Sequence, residues 1–81
     1  MVKKVLITGG AGFLGTDIAR KLIKDGYLVR VFDRINLNEK DLIGKIESLQ
    51  GDIRSKADVQ KSVKGRDYVI HAAALLPPQK I

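Results

Sequence analysis

The chain has 81 residues, 44% of them hydrophobic and 30% charged, with a formal net charge of +6, which leaves room for one domain of globular rather than disordered composition. It has no cysteine, so disulfides and thiolate metal sites are excluded, and its single histidine cannot build a metal site by itself. The apolar run Val5-Leu6-Ile7 breaks at Thr8-Gly9, far short of the ~20 residues of a membrane span, so a cytoplasmic location is expected.

Taken in chain order, strand and helix alternate. Val5-Leu6-Ile7 is short, continuously apolar and rich in β-branched residues, as in a strand covered on both faces. A helix follows over residues 12–25. Leu14, Ile18 and Leu22 with Phe13, Ala19 and Ile23 form its apolar stripe, Asp17, Arg20, Lys21 and Lys24 its polar side, and Gly26 its stop. Leu28-Val29-Arg30-Val31-Phe32 reads as the second strand, ending at Asp33. The stretch 35–44 carries a weaker signal, in which Asn38 caps a short helix through Ile43. A third strand is expected over 45–50, closed by Gly51-Asp52. Ser55 with Asp58 three residues later resembles a capping box and opens a helix that ends at Gly65, with Val59 and Val63 as its buried edge. Asp67-Tyr68-Val69-Ile70-His71 is the fourth strand, running into Ala72-Ala73-Ala74, and Pro77-Pro78 prevents any regular helix from continuing. Strands joined through single helices must be parallel with right-handed crossovers. The expected fold is therefore α/β: a Rossmann-type parallel sheet of about four strands in the order 3-2-1-4, occupying residues 1–81 as one unit.

The positive charge raises the question of nucleic acid. Its lysines and arginines are scattered, however, and no basic run is interleaved with aromatic residues. Solvated helix faces and a mild attraction for an anionic ligand account for the charge more simply.

The loop after the first strand is more specific. In Thr8-Gly9-Gly10-Ala11-Gly12-Phe13-Leu14-Gly15, glycines fall at both G-x-G-x-x-G and G-x-x-G-x-x-G spacings, between a strand and a helix and ahead of an acid ending the next strand. One glycine permits the turn, a second lets a pyrophosphate approach the backbone, and a third lets the helix pack closely. The first-turn N–H groups, near Phe13 and Leu14, then point at phosphate oxygens. Asp33, 18 residues beyond Gly15, suits an acceptor for the adenosine ribose hydroxyls and would repel a 2′-phosphate, which favours NAD over NADP. Arg34 beside it works in the opposite direction. A ligand-free tight turn and a solvated Asp33 are the simpler alternatives.

These residues, with Asp33-Arg34, Gly51-Asp52-Ile53-Arg54 and His71-Ala72-Ala73-Ala74 following in order, resemble the extended short-chain dehydrogenase/reductases, the group of NAD-dependent sugar-nucleotide epimerases and dehydratases. The resemblance implies that Gly9, Gly12, Phe13, Leu14 and Gly15 line the pyrophosphate and Asp33 binds the ribose. It implies that Asp52 and Ile53 flank the adenine, with Asp52 accepting from its amino group, and that Ala72, Ala73 and Ala74 pass beneath the cofactor. Without the family, Asp52 is a turn residue, the alanines a packed strand end, and His71 structural rather than catalytic.

The family's Tyr-x-x-x-Lys pair is not found: four residues after Tyr27 and Tyr68 stand Val31 and Ala72. The expectation is the cofactor-binding first half of such an enzyme, inactive by itself, with no catalytic residue assigned. Its fourth strand would leave an open edge suited to self-association or docking, unless the Pro77-Pro78 tail folds over it. A non-catalytic nucleotide-sensing module is the alternative from another class.

Overall fold

The structure, a computed structural model, describes residues 2–72. The order is β1 (Lys4–Thr8), α1 (Phe13–Lys24), β2 (Leu28–Asp33), β3 (Glu47–Gln50), α2 (Lys56–Val63) and β4 (Tyr68–His71). All the strands are parallel, in the order β3-β2-β1-β4. This is the expected Rossmann-type sheet. Ala73, Ala74 and the Pro77-Pro78 tail lie outside the described residues.

β1 is central and is buried from Val5 to Thr8, which explains its unbroken apolar run. Side chains alternate across a sheet, so Val5 and Ile7 share a face with their register partners Val29 and Val31. These four form a core with Ala19 of α1, Leu37, Leu42 and Ala72. Leu6, Arg30 and Phe32 point to the other face, where Arg30 Nη1 donates to the carbonyls of Ser62 and Lys64 at the end of α2, 2.9 Å each. Its Nε donates to Glu47 at 2.8 Å. A β2 arginine thus closes the helix that covers its strand.

α1 ends as Gly26 predicts. Gly26 has φ +90°, its N–H donates to the Ile23 carbonyl, and the Tyr27 N–H donates to that of Leu22, the paired bonds of a Schellman stop. Its apolar stripe is shorter than expected. Ile18, Leu22 and Ile23 pack on the core, but Phe13 is 89% exposed and Leu14 is exposed as well. The first turn of the helix stands at the carboxyl rim of the sheet, where none of the described residues covers those two side chains.

Three further expectations are corrected. No helix forms over residues 38–43: Leu42 and Ile43 N–H groups both donate to the Glu39 carbonyl, giving a single turn, and Gly44 at φ +88° then reverses the chain. Burial of Leu37 and Leu42 and the ion pairs of Arg20 with Glu39 and Asp41 fix this segment on α1 without a second turn. The third strand begins at Glu47, not Lys45, because the chain up to Ile46 is still turning. In α2 the buried residue is Ser62, while Val63 is exposed and Val59 half-buried. Ser62 satisfies its hydroxyl on the Val59 carbonyl at 2.8 Å, so this small side chain can face the sheet.

Candidate functional site

A pocket of about 200 Å³ opens at the carboxyl ends of the strands. Thr8 and Gly9 come from the end of β1, Phe32, Asp33 and Arg34 from β2, Gly51 and Ile53 from the turn after β3, and His71 from β4. The chain runs outward from β1 to β3 and returns on the far side of β1 as β4. That change of direction is the topological switch point at which open α/β sheets bind ligands.

Each glycine of the β1–α1 loop has a separate task. Gly9 adopts φ +72°, a left-handed conformation that makes the turn. Gly15 seats α1 on the loop, since a Cβ there would lie 2.4 Å from Gly10 Cα and 2.7 Å from the Gly9 carbonyl oxygen. Gly10 packs against β2, where a Cβ would meet Val31 Cγ1 at 2.7 Å. Gly12 differs from these. A Cβ on it would meet only the Gly9 carbonyl oxygen, at 3.6 Å, and its φ is an ordinary −79°. None of the described residues requires a glycine there, and among them the space above it is open.

The two helix starts differ in the same way. α2 is capped: Ser55 Oγ accepts from the Asp58 N–H at 3.2 Å, and Asp58 is an acid in the first turn. The box is only half formed, because Asp58 Oδ2 accepts from the Asp52 N–H at 3.0 Å instead of returning to Ser55. α1 has Gly12 at its cap, no side-chain cap bond and no acid in its first turn. The Thr16 N–H closes on the Gly12 carbonyl, but the N–H groups of Phe13, Leu14 and Gly15 meet no acceptor among the described residues. Such a helix end offers free donors and the positive end of the helix dipole to an anion.

Asp33 ties this loop to β2. Its Oδ2 accepts from the Ala11 N–H at 3.1 Å and its Oδ1 from the Ile35 N–H at 3.2 Å, which fixes the carboxylate at the pocket wall. Each oxygen retains acceptor capacity for a hydroxyl. Arg34 lines the pocket beside it, its carbonyl accepting from Gln50 Nε2. Asp52 is held differently, by a fork of hydrogen bonds from Arg54 that lowers its pKa to about 2.

The structure therefore brings Gly9, Asp33, Arg34 and Ile53 together in the pocket wall, with Gly12, Phe13, Leu14 and Gly15 on the adjoining loop and helix end. Asp52 does not line the pocket, and Ala72 is buried in the core. Reading the sequence missed Thr8, Phe32 and Gly51. Thr8 is buried, and its hydroxyl shares a 2.6 Å hydrogen bond with His71 Nδ1 across β1 and β4. That bond joins His71 to the sheet, and His71 also lines the pocket. A Cβ on Gly51 would strike Phe32 Cε1 at 2.5 Å, so this glycine admits the turn past the Phe32 ring.

The model of the NAD dependent epimerase/dehydratase family matches residues 5–79, nearly the whole chain. The chain belongs to that family. The resemblance drawn from its four ordered motifs is thereby borne out. Among curated relatives, a 3-beta-hydroxysteroid dehydrogenase of Mycolicibacterium neoaurum is 37% identical over 73 residues, covering 90% of this chain and 20% of the relative. A UDP-N-acetyl-alpha-D-glucosaminuronate decarboxylase of Bacillus cytotoxicus is 36% identical over 80 residues, covering 94% and 25%. The chain thus spans about a fifth to a quarter of the length of these curated relatives. Among solved structures, a uronate dehydrogenase variant from Agrobacterium tumefaciens complexed with NAD superposes with TM-score 0.75 at 29% identity, over 89% of this chain and 26% of that one. A UDP-glucose 4-epimerase from Brucella ovis in complex with NAD gives 0.74 at 28% identity, over 88% and 22%.

Proposed function

We propose that this chain holds the adenosine-diphosphate half of NAD, as the cofactor-binding part of an epimerase, dehydratase or reductase. The observation that carries the reading is the start of α1: an uncapped helix end with free N–H groups, no acid in its first turn, and a glycine whose missing side chain leaves room outside the protein. The residues fit the group. The pyrophosphate belongs over Gly12 and the N–H groups of Phe13, Leu14 and Gly15, and the ribose hydroxyls belong on Asp33. The adenine belongs beside Gly51 and Ile53 in the pocket wall, and Asp52, which stands between them in the chain but outside the lining, is the acceptor for its amino group.

The relatives' names span a steroid dehydrogenase and a UDP-sugar decarboxylase, while both solved neighbours are NAD complexes. The relatives' names share no one substrate, whereas NAD is common to the two solved neighbours, which supports a cofactor site. Bound NAD supplies a reversible hydride acceptor, and the residues of this chain bind and orient its adenosine end. With no Tyr-x-x-x-Lys in the sequence, the 81 residues alone are expected to turn over no substrate. Among the described residues β4 pairs only with β1, which supports docking or self-association along its other side.

Calorimetry with NAD, NADP and a short DNA duplex at two salt concentrations tests the reading. NAD should bind more tightly than NADP, and the duplex should give no heat. Duplex binding that weakens steeply with salt, together with silence toward NAD, would overturn it.

A further inference from the structure

The turn Gly51-Asp52-Ile53-Arg54 is fixed at several points before any ligand is considered. The Asp52 N–H donates to Asp58 Oδ2 at 3.0 Å, and the Ser55 N–H donates to the Asp52 carbonyl at 2.9 Å. The Arg54 N–H donates to Asp52 Oδ1 at 2.9 Å. The Arg54 side chain then turns back on the same carboxylate. Its Nε lies 3.1 Å from Oδ1 and 3.2 Å from Oδ2, and its Nη2 lies 2.9 Å from Oδ2. An ionised carboxylate has about four acceptor positions, and this geometry occupies most of them from within one turn. The guanidinium is otherwise free to leave: the Arg54 side chain is 79% exposed and that of Asp52 is 35% exposed. Arg54 is an intramolecular occupant of the group assigned to the base.

We propose that Arg54 is a competing latch on the base subsite, which tempers its preference for a purine bearing an exocyclic amino donor by holding the Asp52 carboxylate until that donor displaces it. This rests on the reading that Asp52 receives the adenine. The chemistry is an exchange of donors. A six-amino purine brings an N–H that can replace one arm of the fork, and the released guanidinium, already at the surface, is taken up by water. A six-oxo purine brings an acceptor toward an acceptor. Its one donor on that edge, the ring N1–H, lies beside the carbonyl rather than in place of the amino group, so it opens the latch less readily. Exposed ion pairs are weak, so the latch lowers affinity for an adenine ligand only a few-fold.

The test uses NAD and nicotinamide hypoxanthine dinucleotide, which differ at the amino position, with calorimetric affinities for the wild type and for Arg54→Gln, Arg54→Lys and Asp52→Asn. The ratio of the two affinities is the readout, because removing a positive charge weakens both dinucleotides alike. Arg54→Gln should raise the preference for NAD about 2–5-fold. Arg54→Lys, which retains the charge but cannot form the fork, should raise it in the same direction. Asp52→Asn can offer a donor to the six-oxo group and should bring the ratio toward one. An unchanged or lowered ratio in both Arg54 variants, with Asp52→Asn still responding, overturns the latch alone. A ratio indifferent to Asp52→Asn overturns the base reading and the latch with it.

Discussion

Glycines twelve and fifteen of this chain look alike in sequence but are required by different things. A Cβ on Gly15 would enter the space of Gly10 Cα and the Gly9 carbonyl oxygen, so Gly15→Ala should destabilise the fold by about 1–3 kcal/mol, through overpacking. Gly12→Ala meets only an atom at 3.6 Å, at an ordinary φ. It should change stability by less than about 1 kcal/mol while lowering affinity for NAD, since the added methyl stands where the pyrophosphate approaches. Denaturant melts paired with calorimetry separate the two, and normal NAD binding by Gly12→Ala would count against the site. Asp33→Ala should reduce NAD affinity by about one to two decades and narrow the preference over NADP. Because the carboxylate also accepts from Ala11 and Ile35, Asp33→Asn, which keeps one acceptor oxygen, should preserve more loop order than alanine does. Gly9 and Gly15 were legible in the sequence because each answers a constraint set within one strand–loop–helix unit, and Gly12 and Asp33 because they stand at fixed spacings from it. Thr8 and His71 were not, since their hydrogen bond depends on the β1–β4 register across 63 positions of chain.

At the level of elements, β1, α1 and β2 could be read almost to the residue, as a continuous apolar run and a helix with its glycine stop mark their own ends. The segment between β2 and β3 could not. Asn38 resembles a cap, but the burial of Leu42 and the reversal at Gly44 leave no length for a helix. α2 also shows why a short helix misleads. With eight residues and few apolar ones, its orientation is decided by its partners rather than by its own periodicity. One of those partners is Arg30, whose guanidinium takes the carbonyls of Ser62 and Lys64. Arg30→Met keeps much of the apolar stem but leaves those carbonyls without the cation, and should lower stability by about 1–3 kcal/mol. A melt in which Arg30→Met equals the wild type would remove this bond from the account.

At the scale of the whole molecule, the order β3-β2-β1-β4 places the crevice between β1 and β4 and gathers residues from all the strand ends into one pocket wall. The strand order itself was legible, because crossovers of fixed hand allow few arrangements, and this held although the β2–β3 connection carries no helix. The same order leaves β4 with β1 as its only partner among the described residues, and Tyr68 and Val69 there are exposed. Self-association along this strand should appear in sedimentation as a mass that rises with concentration; a monomer at high concentration would contradict it. An amide NMR titration of the chain with NAD reads the start of α1 residue by residue. The largest shifts are expected at the N–H groups of Phe13, Leu14 and Gly15, with a second set around Asp33. Shifts confined to other parts of the sheet, or none at millimolar NAD, would contradict it.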